Sequence, residues 1–200
     1  MQRNLFLLSA VMLALGLVGC TTVLGVDPEN AHEVDDEVTV EWDPFKNLTL
    51  YKGPIFSNTF EGDAAGPEVE ELSLSAQRNP GRPDRFFVTL SDYYDGDWRG
   101  FDQAFDLEGH KFHALSVRHD VHCHVVCGYE ETIEIEVSRE YLDAHRQSGI
   151  TMRLYGPSKA ASAPFAMPGA YIQGFLNGSY SEQGSKPAKA ALGVDAGERK

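Results

Sequence analysis

The run His119-Asp120-Val121-His122-Cys123-His124-Val125-Val126-Cys127 holds the densest potential for chemistry in this chain. Apart from the valines, every side chain in it can ligate a transition metal. In an extended strand, alternate side chains share a face. His122 and His124 would then point to one side with Asp120 beside them, a geometry that zinc and copper accept. Cys123 and Cys127 would take the other side, so one site cannot use every ligand without a bend. Two readings stay open. The segment is a metal site built on His122 and His124, with Asp120 or His119, or Cys123 and Cys127 form a structural disulfide. A disulfide needs Cα atoms about 4.4–6.8 Å apart, whereas four residues of straight strand span about 13 Å. The bond therefore requires a turn between the cysteines and would make the segment a hairpin tip.

Other chemistry is sparse. Asp92, Asp95 and Asp97 crowd a glycine-containing stretch, but Tyr94 stands where a calcium loop needs an oxygen ligand, so the trio reads as a solvated acidic turn. Tyr93, Tyr94, Trp98, Phe101 and Phe105 at strand spacing read as core rather than as a ligand groove. The sequence carries no Gly-x-Ser-x-Gly elbow, phosphate loop or dinucleotide fingerprint. Cys123 lies between histidines, but nothing in view supplies an oxyanion hole or an orienting residue. No catalytic residue is assigned, no cofactor is expected, and a hydrolase of scattered residues ranks third behind binding and metal binding.

The elements that must position these residues read as short strands. Val38, Val40 and Trp42 alternate with polar residues, and Leu48 to Tyr51 form a second strand before Gly53-Pro54. Residues 61–71 read as a loop, and Leu72 and Leu74 begin another strand. Residues 79–84 are a turn cluster. A strand over Arg85 to Tyr94 ends at Asp95-Gly96, a two-residue hairpin signal. Glu108-Gly109 marks a second hairpin, with Phe112 to Val117 as its return strand. Residues 129–137 alternate most cleanly: Tyr129, Glu131, Ile133, Ile135 and Val137 share one face, and Glu130, Thr132, Glu134 and Glu136 the other. Ser138 caps a two-turn helix with Leu142 inward and Gly149 beyond its end. Ile150 to Tyr155 and residues 160–167 return to strand. Tyr171, Ile172, Phe175 and Leu176 give a C-terminal helix one apolar face, although Gly174 inside it weakens the pattern. The fold expected is mainly β, an antiparallel β-sandwich or barrel-like domain with two short helices.

Composition sets the surroundings. The chain has 200 residues and a net charge of -13. That balance argues against nucleic acid as a partner, since phosphates need a basic surface. At the N-terminus, Arg3 is followed by an uncharged run from Leu5 to Val18. The run falls short of the roughly 20 apolar residues of a membrane span. A basic start, a short apolar run and small residues at its exit are the pattern of a secretory signal.

The run closes on Leu17-Val18-Gly19-Cys20. This tetrad resembles the lipobox of bacterial lipoproteins at all four positions. The resemblance implies that residues 1–19 are a cleaved signal peptide. It also implies that Cys20 is the first mature residue, carrying diacylglycerol on sulfur and, as is usual there, an acyl chain such as palmitate on nitrogen. One chain binds a bilayer marginally and two or three hold firmly. Thr21 stands where inner-membrane lipoproteins often carry Asp, which implies an outer-membrane anchor facing the periplasm. Loss of Cys20 to lipid leaves Cys123 and Cys127 as an even pair in an oxidising compartment. The stretch from Trp98 to Leu176 is similar to small β-rich envelope lipoproteins of no assigned activity.

The organisation expected is a signal peptide (1–19), a lipidated N-terminus and flexible tether (20–36), a β-rich domain (37–180) and a disordered tail (181–200). The function expected is a lipid-anchored cell-envelope protein, structural or binding. Its partners would be the membrane, through the anchor, and an envelope protein or small ligand. The alternative is a periplasmic zinc or copper protein.

Overall fold

The computed structural model describes residues 25–57, 69–95, 98–123 and 127–180. The expected signal peptide (1–19), Cys20, the first part of the expected tether, His124 and the expected tail (181–200) lie outside them. The described chain is mainly β and antiparallel, as the alternating patterns predict. Its strands are β1 (Thr39–Asp43), β2 (Leu48–Lys52), β3 (Phe56–Ser57), β4 (Val69–Arg78), β5 (Arg85–Asp95), β6 (Gln103–Asp106), β7 (Lys111–Cys123), β8 (Cys127–Val137), β9 (Ile150–Tyr155) and β10 (Phe165–Met167). They join one sheet in the order β1-β2-β4-β5-β8-β7-β6-β9-β10, with β3 on β4. Among the described residues β1 does not pair with β10, so the sheet is not closed into a barrel.

Strand β7 links the two halves of the sheet. Its first residues, Lys111 to His113, pair with β6, and Ala114 to Cys123 pair with β8. The alternation in β8 decides which face is buried. Ile133, Ile135 and Val137 are buried beside Phe86, Val88 and Leu90 of β5 and Leu72 and Leu74 of β4. Glu130, Thr132 and Glu134 are only partly covered on the opposite face.

Among the described residues three α-helices accompany the sheet, not two. α2 (Arg139–Ala144) is the expected one: Ser138 accepts a hydrogen bond from the Tyr141 N–H, and Leu142 is buried. Gly149 beyond it has φ 72°, a conformation that suits glycine. α3 (Gly169–Tyr180) buries Tyr171, Ile172, Phe175 and Leu176. The additional helix is α1 (Ala31–Asp36), which corrects the last six residues of the expected flexible tether at 20–36. Asn30 caps it, accepting from the backbone N–H groups of His32 and Glu33. Val34 is its one buried residue. A single buried side chain in six residues leaves no period to read.

Gly174 explains how so short a helix is held. A Cβ there would collide with the Ala31 carbonyl oxygen and with Val34. One at Gly178 would lie 2.8 Å from the Asp35 carbonyl. The two glycines let α1 press its backbone against α3, so Gly174 is a packing device rather than a weakness of the helix. Tyr171 ties α3 to the sheet by donating to the Pro54 carbonyl (2.5 Å) and accepting from the Leu74 N–H (3.3 Å).

The Asp95-Gly96 hairpin is a second correction. Strand β5 is flanked by β4 and β8, and β6 pairs with β7 and β9. The chain after Asp95 therefore crosses to another part of the sheet; Gly96 and Asp97 lie outside the described residues. The turn signal marked a strand end correctly, but a neighbour in sequence did not become a neighbour in the sheet. The return strand expected over Phe112 to Val117 instead runs on to Cys123. The strand expected over residues 160–167 is confined to Phe165–Met167, with a single bridge from Ala161 to Tyr155.

Candidate functional site

Strands β7 and β8 form a long hairpin whose last register pair is Cys123 with Cys127. The two stand at disulfide distance, S–S 2.09 Å and Cα–Cα 4.1 Å. Residues 124–126, between the two cysteines, lie outside the described set.

The potential ligands divide between faces, as alternation dictates. Asp120 and His122 register with Glu130 and Gly128 on the open face of the sheet. There His122 Nε2 lies 3.1 Å from Glu130 Oε2, and Arg118 Nε lies 2.5 Å from Asp120 Oδ2. His119 registers with Glu131 on the other face and lies 3.0 Å from the Ser116 hydroxyl. The structure thus brings His122 and Asp120 to one side and separates His119 from them. Among the described residues no three His, Cys, Asp or Glu side chains are grouped to hold a metal ion.

Beneath His119 is a polar cluster that alternation alone did not reveal. Asp92 and Glu131 register with each other across β5 and β8, and both are fully buried. Asp92 is therefore not part of a solvated acidic turn. The segment Trp98 to Gly100 covers the pair. The Gly100 N–H donates to Glu131 Oε1 (3.0 Å), and the Arg99 guanidinium lies 3.8 Å from Asp92. Arg99 also stacks over the Tyr94 ring at 4.2 Å, and its N–H donates to the Tyr94 hydroxyl. Trp98 meets the His119 and Tyr129 rings edge-on, each at 4.8 Å. Burial pushes the Tyr94 phenol up, with the Arg99 N–H opposing and the Glu131 carboxylate adding to the shift. The expected aromatic set thus splits. Tyr94 and Phe101 are core, while Trp98 and Tyr93 remain 42% and 39% exposed. Arg99 already occupies the place a ligand cation would take between Tyr94 and Asp92. One signal could have exposed the cluster: Glu131 falls on the apolar face of an otherwise regular strand.

A second carboxylate–imidazole group sits at the β6–β7 turn. Asp106 Oδ2 lies 2.8 Å from His110 Nδ1 and accepts from the Tyr141 hydroxyl at 2.9 Å. Its other oxygen accepts the N–H groups of Glu108 and His110. These bonds build the turn. At the sheet end opposite the cysteines, a cleft of about 590 Å³ is lined by Asp84, Arg85, Glu136, Arg139 and Tyr180. Its arginines are engaged: Arg85 pairs with Glu136 through two bonds, and Arg139 bonds Asp143 and stacks on Tyr180.

No helix among the described residues is long and apolar enough to cross a membrane. Comparison of the chain with protein-family models, with curated proteins and with solved structures finds no match.

Proposed function

We propose that this chain is an exported, lipid-anchored cell-envelope protein whose β domain has a structural or binding role. The observation that carries the reading is the pairing of Cys123 with Cys127 at the tip of the β7–β8 hairpin. A cysteine pair at bonding distance suits an oxidising compartment. It leaves Cys20 as the odd cysteine, at the position where the lipobox resemblance needs it. The polar groups support a non-catalytic role: Glu131 Oε1 holds the Gly100 strap and Asp106 builds a turn. The anchor would face the periplasm from the outer membrane, on the strength of Thr21. A Cys20→Ala variant tests the reading. Accumulation of unlipidated, uncleaved precursor, with its apolar N-terminal run still attached, is expected in place of the mature form. Mature-length protein that still sediments with membranes would refute it.

A metal-binding reading has one observation in its favour: Glu130 of the neighbouring strand stands beside His122, with Asp120 on the same face. Titration with zinc and with copper decides it. Affinity that survives replacement of both His122 and His124 by alanine would eliminate those residues as ligands.

A further inference from the structure

We infer that a second copy of this chain pairs with the free edge of β7, strand against strand, across a two-fold axis at His119. On the side of β7 away from β8, β6 pairs only with Lys111 to His113. The last backbone bond on that side runs from the Ala114 N–H to the Asp102 carbonyl (3.0 Å). From Leu115 to Cys123, no described strand covers that edge. His119 is the midpoint of this open stretch.

The sequence about the same midpoint is self-complementary: Val117-Arg118-His119-Asp120-Val121. In an antiparallel pair centred on His119, Arg118 stands opposite Asp120 of the partner subunit, and Asp120 opposite the partner subunit's Arg118. Val117 and Val121, 47% and 49% exposed, come to matching register positions. The backbone is poised for it. A Cα separation of 4.1 Å marks Cys123 and Cys127 as a non-hydrogen-bonded pair. Alternation along the regular stretch places His119 and Val121 in the same class. Their N–H and C=O groups therefore face away from β8, toward the free edge. Proteins normally blunt such an edge with charge or a bulge. Here a bulge falls between Ser116 and Arg118, and the edge charge Arg118 is matched by Asp120 at 2.5 Å in the same chain. An isologous contact exchanges that ion pair between copies and makes one continuous sheet. The inference rests on the binding role proposed above but not on the anchor, so a failed dimer with Cys20 lipidated sinks this inference alone.

Sedimentation of the mature protein in mild detergent tests it, with amide hydrogen exchange as a second readout. The wild type should dimerise with rising concentration, and the amides of Val117 to Val121 should slow as it does. Arg118→Asp and Asp120→Arg should each weaken self-association by about tenfold or more, because like charges then face each other. An equimolar mixture of the two variants should recover dimer, as should the double variant R118D/D120R. Recovery in the mixture also shows that both variants fold. Three results would overturn the inference: a wild type that stays monomeric with fast exchange along β7, which leaves the edge to a foreign strand; dimers insensitive to either reversal; or a mixture that does not recover.

Discussion

Cys123 and Cys127 face each other at the last paired position of β7 and β8, with Cα atoms 4.1 Å apart. The pair closes a small loop, so its contribution through chain entropy is limited to about 2 kcal/mol. Protein isolated from its native host and denatured without reductant should show no free thiol from these residues. A Cys123→Ser/Cys127→Ser variant should keep the fold and lose about 1–2 kcal/mol in urea denaturation. Two free thiols at these positions in that protein would contradict the pairing.

Gly174 gives a prediction opposite in sign to helix propensity. Alanine inside an exposed helix is favoured over glycine by about 1 kcal/mol. At Gly174 the added methyl meets the Ala31 carbonyl and Val34, so α1 must move away from α3. Gly174→Ala should therefore destabilise the protein by about 1–3 kcal/mol, the usual cost of overpacking. Chemical denaturation measures it, and faster amide exchange in α1 should accompany it.

The Asp106–His110 pair predicts a pH window. Burial alone would raise the Asp106 carboxyl, but bonds from His110 and Tyr141 outweigh it and hold the group below its ordinary value. The bond to Asp106 raises His110 above its ordinary 6.5. A lowered carboxyl stabilises fully above its unfolded value and loses that contribution as pH falls through the folded one. A raised imidazole stabilises fully below 6.5 and loses its contribution as pH rises through the folded value. The pair should help most between about pH 4 and 6.5. Asp106→Asn should narrow its stability gap to the wild type on both sides of that window. Urea midpoints across the range give the comparison, and a gap independent of pH would contradict it.

Much of the sheet was legible because its strands alternate against one core. Residues 129–137, the Ser138 cap, Leu142 and the apolar face of α3 could be read from period and capping alone. What stayed hidden depends on contacts distant in sequence. Val34 is a lone valine until Gly174 and Gly178 make room for its helix. Asp92 looks like a member of an acidic turn until Arg99 and the pairing of β5 with β8 bury it. Asp95-Gly96 carries a local turn signal, but strand pairing is a property of the whole sheet. At the cysteines, simple reach along a strand required the turn, and the β7–β8 hairpin supplies it.

The central claim is the anchor, and mass spectrometry of the mature N-terminus in the native host tests it most directly. The N-terminal peptide should begin at Cys20 and carry the mass of diacylglycerol, with or without a further acyl chain. A mature chain that begins elsewhere, or an unmodified Cys20, would contradict it.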